Sequence, residues 1–117
     1  MAKLLRRIGG MTVQEFELHE GTQRIGRSAD NDIQLPDSTV SGFHAEITVT
    51  SGSGPEDMEH ILLTDCRSKN GVYINGRSKQ EHQLADGDRI KIGKQQFKFI
   101  AHDRIPVEEG DTVTQME

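Results

Sequence analysis

The sequence predicts an all-β domain, and three observations support that prediction. The helical pattern of apolar residues three and four positions apart is not sustained anywhere in the 117 residues. Short alternating runs rich in Val, Ile and Phe recur instead. Gly and Asn separate these runs, and both residue types tolerate the positive φ that tight hairpins require. Many short strands joined by such turns are typical of a β-sandwich or a β-barrel.

Nine strands are predicted in chain order. They cover Lys3 to Ile8, Thr12 to Leu18, Gln23 to Gly26, Asp32 to Gln34, His44 to Val49, His60 to Leu63, Val72 to Ile74, Arg89 to Ile92 and Gln96 to Ile100. The turn residues between them are Gly9-Gly10, Glu20-Gly21, Asn70-Gly71, Asn75-Gly76, Asp86-Gly87 and Gly93-Lys94. Thr50 to Met58 is small, polar and contains proline, so it is predicted to be a surface loop between two strands.

Length and composition restrict the function classes. A chain of 117 residues is long enough for one domain but too short for two separate cores. A net charge of −5 argues against a protein that wraps nucleic acid. No apolar run approaches the roughly 20 residues that span a bilayer, and Arg6 and Arg7 interrupt the apolar start. The single Cys66 fits a reducing compartment. We therefore expect a cytoplasmic protein without membrane insertion.

The charge divides the chain into two parts. Residues 103–117 contain five acidic residues and one basic residue, so −4 of the net −5 lies there. This segment lacks periodicity and contains Pro106 and Gly110, so we expect an acidic tail that is disordered when free. Residues 1–102 are nearly neutral and are expected to form the folded domain.

Enzymatic chemistry finds little support. The five histidines lack the paired spacing of a zinc site, so no metal is expected. Ser41, His44 and Asp65 contain the residue types of a hydrolytic triad, but Ser41 lacks the nucleophile-elbow sequence. No glycine pair precedes a predicted helix, as a nucleotide-binding loop would require. We expect no catalytic residues and no cofactor, and a hydrolase remains only the weakest alternative.

Polar and basic residues are concentrated at the predicted strand ends. They are Arg27, Ser28, Ser41, Arg67, Ser68, Lys69, Asn70, Arg77 and Lys79. Loops at the end of a rigid sandwich often carry binding residues. The Arg27 guanidinium, the Ser41 hydroxyl, the Lys69 ammonium and the backbone N–H groups of Gly42 and Asn70 would suit a tetrahedral dianion. This combination predicts a phosphate receptor.

The same residues lie in motifs that resemble the forkhead-associated (FHA) domain family. Four blocks occur in the order and spacing of that family, and the resemblance covers roughly residues 3–102. The blocks are Ile25-Gly26-Arg27 with Asn31-Asp32-Ile33, Val40-Ser41-Gly42-Phe43-His44-Ala45, Asp65 to Gly76, and Leu84 to Gly93. Several motifs in register make the resemblance specific, whereas any one of them alone would be weak.

The resemblance implies a sandwich of two antiparallel sheets whose loops bind phosphothreonine at one end. By matching position, Arg27 would pair with the phosphate, the Ser41 hydroxyl would donate to it, and Asn70 would hold the peptide backbone. Gly26, His44 and Gly71 would support the site, and Asn75-Gly76 would close the next hairpin. The implied partners are a phosphothreonine-containing protein and an upstream Ser/Thr kinase.

Two positions depart from the family pattern. Gly42 stands where Arg or Asn usually adds a phosphate contact, and Lys69 stands where a hydroxyl residue often contributes. Two functions therefore remain open: a phosphothreonine-dependent adaptor, or an FHA-like scaffold that binds partners without phosphate. In the tail, Thr112 and Thr114 are candidate phosphorylation sites whose phosphates would enter the pocket. Alternatively, the tail is a solvated end or the start of a linker.

Overall fold

The computed structural model describes residues 2–50 and 60–101, which form eleven β-strands and no helix. The strands are β1 Lys3–Ile8, β2 Met11–Glu17, β3 Gly21–Gly26, β4 Ile33–Gln34, β5 Ala45–Thr50, β6 His60–Asp65, β7 Val72–Ile74, β8 Arg77–Ser78, β9 Glu81–Gln83, β10 Arg89–Ile92 and β11 Gln95–Ile100. Nine of them correspond to the predicted strands, with bounds that differ by two residues or fewer.

The strands form two sheets. One sheet has six strands in the order β2-β1-β11-β10-β7-β8, and the other has five in the order β4-β3-β5-β6-β9. All neighbouring pairs in register are antiparallel except β3 and β4, in which Ile25 lies opposite Ile33. The loop between these two strands returns the chain alongside β3, which makes the parallel pair. The all-β class and the two-sheet architecture that the sequence implied are thus confirmed.

Alternating burial explains why the strands could be recognised. In β10, Ile90 and Ile92 are buried while Arg89 and Lys91 are exposed. Successive side chains of a strand point to opposite faces, so this pattern places the isoleucines between the sheets. The inner face of the six-stranded sheet also contributes Phe97 and Phe99, and the facing sheet contributes Ile25, Ile47 and Leu63, all at most 2% exposed.

Two short strands, β8 and β9, were not predicted. Arg77–Ser78 and Glu81–Gln83 are polar, and four of their five residues are exposed. Their sequences contain no apolar alternation, and they are strands because of their pairing with β7 and β6. Residues 51–58 of the predicted loop and the whole predicted tail, including Thr112 and Thr114, lie outside the described residues.

The sandwich has two distinct ends. At the end that we call the loop end, three connections meet: residues 27–32 between β3 and β4, residues 35–44 between β4 and β5, and residues 66–71 between β6 and β7. At the opposite end, Lys3 of β1 lies beside Ile100 of β11. Within residues 2–50 and 60–101, no helix is long and apolar enough to span a membrane.

Candidate functional site

Hydrogen bonds join the three connections of the loop end into one surface. The backbone N–H of Arg27 donates to the Ser41 carbonyl at 2.9 Å, which links the first connection to the second. The backbone N–H of Lys69 donates to Ser41 Oγ at 2.9 Å, and Asn70 Nδ2 donates to the Thr39 carbonyl at 2.7 Å. The predicted residues Arg27, Ser41, Lys69 and Asn70, which are up to 43 positions apart in the sequence, are therefore brought together.

Ser41 lies at the centre of this surface. Its carbonyl accepts from Arg27, its Oγ accepts from Lys69, and its own N–H donates to His44 Nδ1 at 3.0 Å. Because Oγ already serves as an acceptor, the hydroxyl hydrogen is directed elsewhere. That hydrogen has no acceptor among the described residues, so it can be donated to an anion.

Arg27 and Lys69, whose backbone N–H groups both donate to Ser41, carry cationic side chains. The exposed Arg27 is held by a 3.1 Å hydrogen bond from its Nε to the Val40 carbonyl. Its two terminal nitrogens form no hydrogen bond or ion pair with the described residues. The ammonium of Lys69 is likewise exposed and unpaired within the described chain. A guanidinium fixed at Nε with both terminal nitrogens available is well suited to a phosphate or carboxylate.

Asn70 and Gly42 contribute neutral polar groups. The Asn70 amide nitrogen is engaged by Thr39, whereas its Oδ1 accepts no hydrogen bond from a described residue. This oxygen is therefore available to an N–H donor of an extended peptide. The backbone N–H of Gly42 donates to no described atom, and a Cβ added at Gly42 would meet nothing within 4 Å. Gly42 thus leaves open space beside Ser41.

His44 is a structural histidine. It is fully buried, its Nδ1 accepts from the Ser41 N–H, and its Nε2 lies 2.8 Å from the Gly71 carbonyl. This pairing requires the neutral tautomer with hydrogen on Nε2. The ring contacts the backbone N–H of Ser41 and not its hydroxyl, so the geometry of a serine nucleophile with a histidine base is absent from this pair. His44 instead holds the second connection against the third.

Gly26 and Asn31 shape the base of the site. A Cβ at Gly26 would lie 2.2 Å from the Gly42 carbonyl oxygen, so only glycine allows the end of β3 and the second connection to approach this closely. Asn31 is 8% exposed, and its Nδ2 donates to the carbonyls of Ser28 at 2.9 Å and Gly42 at 2.7 Å. Asn31 was not predicted to have a role. Its place in the first family block was the available signal.

Asp37 and Thr39 anchor the second connection and were also missed. Asp37 Oδ1 accepts from the Thr39 N–H at 2.8 Å and from Thr39 Oγ1 at 2.7 Å, and Oδ2 accepts from Gln95 Nε2 at 2.5 Å. The Thr39 backbone hydrogen bond, the Thr39 hydroxyl and the Gln95 amide lower the pKa of Asp37 from 3.8 to about 2. Thr39 Oγ1 also accepts from the Lys94 N–H at 2.8 Å, which ties this connection to the six-stranded sheet.

The third connection is a compact turn. Asp65 Oδ1 accepts from the Ser68 N–H at 3.0 Å, and Ser68 Oγ accepts from the Gly71 N–H at 2.9 Å. Arg67 adopts a φ of 57° and Gly71 a φ of 78° within this turn. These bonds present Lys69 and Asn70 at the tip.

Asn75 lies away from this network. With φ values of 52° at Asn75 and 88° at Gly76, the two residues form the hairpin turn after β7. The Asn75 side chain donates to Asp88 Oδ1 at 3.0 Å and accepts from the Arg89 N–H at 2.9 Å. It therefore fastens the far end of the hairpin, and no hydrogen bond joins it to Ser41 or its partners.

The part of the chain that the structure describes does not favour metal binding or a cysteine nucleophile. No group of three or more His, Cys, Asp or Glu side chains is arranged to hold a metal ion there. Burial raises the pKa of the Cys66 thiol, and the neighbouring Glu46 and Asp65 carboxylates raise it further. A raised pKa disfavours the nucleophilic thiolate.

Comparisons with known proteins point to one family. The family model described as "FHA domain" matches residues 23–93. The FHA domain-containing protein FhaA of Mycobacterium tuberculosis is 41% identical over 87 residues, covering 74% of this chain and 15% of FhaA. The glycogen accumulation regulator GarA of Mycolicibacterium smegmatis is 34% identical over 99 residues, covering 85% of this chain and 58% of GarA.

A solved structure gives the same fold. It comes from a structural and functional analysis of phosphothreonine-dependent FHA domain interactions and is 36% identical. The match has a TM-score of 0.72 and covers 88% of this chain and 98% of that one. The chain thus spans nearly all of that solved domain, whereas it spans less than two thirds of FhaA and of GarA.

Proposed function

Since the chain belongs to the forkhead-associated (FHA) domain family, we propose that it is a cytoplasmic, non-enzymatic adaptor that binds phosphothreonine in a partner protein. The family is one of the modules that recognise phosphorylated motifs through basic side chains. In this proposal, a Ser/Thr kinase upstream creates the ligand, and binding couples kinase activity to assembly or control of the partner.

The hydrogen-bond state of Ser41 is the observation that carries the proposal. Its Oγ accepts from the Lys69 N–H at 2.9 Å, which leaves the hydroxyl hydrogen without a described acceptor. Its carbonyl accepts from the Arg27 backbone N–H at 2.9 Å, and the carbonyl of the preceding Val40 holds the Arg27 guanidinium through Nε at 3.1 Å. A phosphate dianion, which carries three strong acceptor oxygens, fits this set of unused donors.

Each predicted binding residue has a role in this proposal. Arg27 pairs with the phosphate through its terminal nitrogens, Ser41 donates its hydroxyl hydrogen, and Lys69 supplies positive charge. Asn70 accepts from a backbone N–H of the bound peptide through Oδ1. Gly42 contributes its backbone N–H, which donates to no described atom.

Gly42 sets the expected strength of binding. The side-chain contact that the family pattern supplies at this position is missing, and a hydrogen bond to a charged group is worth roughly 1.5–3 kcal/mol. Its loss corresponds to about one to two decades in affinity. We therefore expect phosphate binding that persists with a weaker or altered affinity.

The test is a calorimetric titration of the full chain with a phosphothreonine peptide pool, alongside phosphoserine and unphosphorylated pools. Binding of the phosphothreonine pool alone is expected, together with its loss in Arg27→Ala. Arg77→Ala is the matched control, because Arg77 is also exposed but lies on β8, outside the hydrogen-bonded loops. Its affinity should equal that of the wild type.

Two results would redirect the proposal. No binding by any pool would mean that Gly42 disables the pocket, and the phosphate-independent scaffold would replace the adaptor. Equal capture of a physiological partner by Arg27→Ala and by the wild type would give the same conclusion. Turnover of phosphoesters or carboxylic esters would revive the hydrolase alternative.

A finer part of the proposal concerns the tail. Once phosphorylated by a Ser/Thr kinase, Thr112 or Thr114 would occupy the pocket in cis or on a neighbouring molecule. The eleven residues from Ala101 to Thr112 extend up to about 36 Å at ~3.3 Å per residue, whereas a six-residue strand such as β11 spans only about 17 Å. The segment is thus longer than one strand of the sandwich, and cis docking would compete with outside ligands at millimolar effective concentration.

The affinity of an external phosphothreonine peptide before and after kinase treatment tests this part. Cis docking predicts a drop in affinity that Thr112→Ala/Thr114→Ala prevents. Unchanged affinity on a fully phosphorylated tail would rule out autoregulation and leave phosphothreonine recognition itself intact.

A further inference from the structure

A groove of about 990 Å³ lies on the outer face of the six-stranded sheet, and none of the residues proposed to bind phosphate lines it. We call it the basic groove and define it by Arg7, Tyr73, Arg89, Lys91, Gln96 and Lys98. Four of these six residues are cationic, and the groove lies on a chain whose net charge is −5. The described residues include no acidic residue in its lining.

The cations of the basic groove are not neutralised by a described acidic side chain, although Arg7 Nη2 donates to the Gly10 carbonyl. None of Arg7, Arg89, Lys91 and Lys98 forms an ion pair with a described residue. Arg89 lies directly opposite Lys98 across the β10–β11 ladder. Like charges in directly opposed positions destabilise a sheet. An arrangement that the fold tolerates at a cost suggests an anionic occupant.

Tyr73 gives the groove an apolar wall as well. It is 38% exposed, and Lys91 Nζ lies 5.9 Å from the centroid of its ring. An aromatic ring beside several cations suits a polypeptide that carries carboxylates together with small apolar side chains. Val107 and Val113 flank the acidic cluster of the tail in this way.

The chain itself supplies a segment of that composition. Residues 103–117 carry five acidic side chains and one basic side chain. The described chain ends at Ala101, whose N–H donates to Asp86 Oδ1 at 2.8 Å. Asp86 adjoins Gly87, which lines one end of the basic groove, and Gly10 lines it beside the β1–β2 turn. Ala101, the last described residue, is therefore bonded to the residue next to one that lines the groove.

Length and charge both match. Glu108, Glu109 and Asp111 follow Ala101 by seven to ten residues, or about 23 to 33 Å of extended chain at ~3.3 Å per residue. That length exceeds the roughly 17 Å of the six-residue strand β11 along which the groove runs. A tethered segment also acts at an effective concentration that reaches the millimolar range.

We propose that the basic groove is a second binding surface for acidic polypeptide, and that its occupant is the tail of the same chain, residues 103–117. Carboxylates of the tail face Arg89, Lys91 and Lys98, and the contact is electrostatic and sensitive to salt. The proposal does not depend on phosphothreonine recognition, because the tail needs no phosphate to carry this charge.

Paramagnetic relaxation in the full chain tests the contact. A nitroxide is attached at Gln115→Cys in a Cys66→Ser background, and amide signals are recorded at ~10 mM salt, where the screening length is about 30 Å. We expect selective broadening at Tyr73, Lys91 and Lys98, with several-fold less broadening at ~1 M salt, where the screening length is about 3 Å. Broadening spread evenly over the domain, or confined to Arg27 and Lys69, would overturn the proposal.

Charge reversal provides the matched comparison. Lys91→Glu/Lys98→Glu should abolish the selective broadening, whereas Arg77→Glu/Lys79→Glu should retain it, because these residues are also exposed but lie outside the groove. If the first variant does not fold, the salt series on the parent protein still decides. In a mixture of chains that carry the nitroxide but no ¹⁵N with ¹⁵N-enriched chains that carry no nitroxide, we expect no broadening. Broadening there would show a second copy's tail in the groove and overturn the intramolecular contact.

Discussion

Lys69 and Ser41, 28 positions apart, are joined by a 2.9 Å hydrogen bond from a backbone N–H to a hydroxyl oxygen. Through this bond the third connection of the loop end fixes the direction in which Ser41 presents its hydrogen. Ser41→Ala removes both the acceptor for Lys69 and the donor for phosphate. We expect a roughly 10- to 100-fold loss of affinity for a phosphothreonine peptide, measured by calorimetry. Ser41→Thr keeps the hydroxyl and should retain most of the affinity. If Ser41→Ala bound the peptide with the affinity of the wild type, the role assigned to Ser41 would be wrong.

Gly42 should accept a side chain and gain function by it. Nothing lies within 4 Å of an added Cβ, and Gly42 is not among the glycines with positive φ. Gly42→Asn is expected to raise the affinity for a phosphothreonine peptide by roughly 10- to 100-fold, the value of one added hydrogen bond to a charged group. Affinity for the unphosphorylated peptide should not change. A gain for both peptides would show that the added contact does not involve phosphate.

Gly26 should respond in the opposite way to a much smaller change. In Gly26→Ala the new methyl group would lie 2.2 Å from the Gly42 carbonyl oxygen and 2.8 Å from Asn31 Nδ2. We expect a loss of about 2 kcal/mol or more in the free energy of unfolding, since overpacking a rigid backbone contact costs about 1–3 kcal/mol and occasionally more. Gly42→Ala, measured in the same urea titration, should stay within about 0.5 kcal/mol of the wild type. Equal stability of the two variants would refute the steric argument.

His44 should be recognisable by its tautomer. Its Nδ1 accepts from Ser41 and its Nε2 faces the Gly71 carbonyl, so long-range ¹⁵N spectra should show hydrogen on Nε2 alone. His44→Phe is expected to lower the free energy of unfolding by about 2–6 kcal/mol, because the partly buried Ser41 N–H and Gly71 carbonyl each lose a partner at about 1–3 kcal/mol. A spectrum with hydrogen on Nδ1 would be incompatible with the bond from Ser41.

Asp37 should make stability depend on pH in the acidic range. Its pKa is lowered from 3.8 to about 2 in the folded protein by the Thr39 and Gln95 hydrogen bonds, so folding favours the ionised carboxylate. The resulting stabilisation is complete above the unfolded pKa and is lost as the pH falls from about 3.8 towards 2. The stability difference between the wild type and Asp37→Asn in urea should therefore be constant near neutral pH and shrink in that window. If the stability difference between the two proteins were as large at the lowest pH as near neutral pH, this linkage would be excluded.

The sequence predicted most of the fold because several strands, among them β5, β10 and β11, alternate buried residues with more exposed ones. β10, with Ile90 and Ile92 inside and Lys91 outside, shows the pattern directly. β8 has no such alternation, since Arg77 and Ser78 are both exposed, and only its pairing with β7 makes it a strand. Local sequence therefore could not reveal it.

The site divides in a similar way. Arg27, Ser41 and Asn70 were found because their side chains carry the chemistry of phosphate and peptide recognition. Asn31 and Thr39 were missed because they act through backbone carbonyls that bond to residues distant in sequence: Asn31 donates to the Gly42 carbonyl, and the Thr39 carbonyl accepts from Asn70. Such contacts follow from the meeting of loops in space and leave no distinctive residue pattern.

The pairing of Lys3 with Ile100 across β1 and β11 has a consequence for how the domain can be used. The two ends of the folded unit lie side by side, at the end of the sandwich opposite Arg27 and Ser41. Polypeptide joined to either end would therefore leave the loop end of the sandwich accessible to a ligand. Such an arrangement suits a unit that is joined to further polypeptide at both ends, and the match to FhaA covers only 15% of that protein.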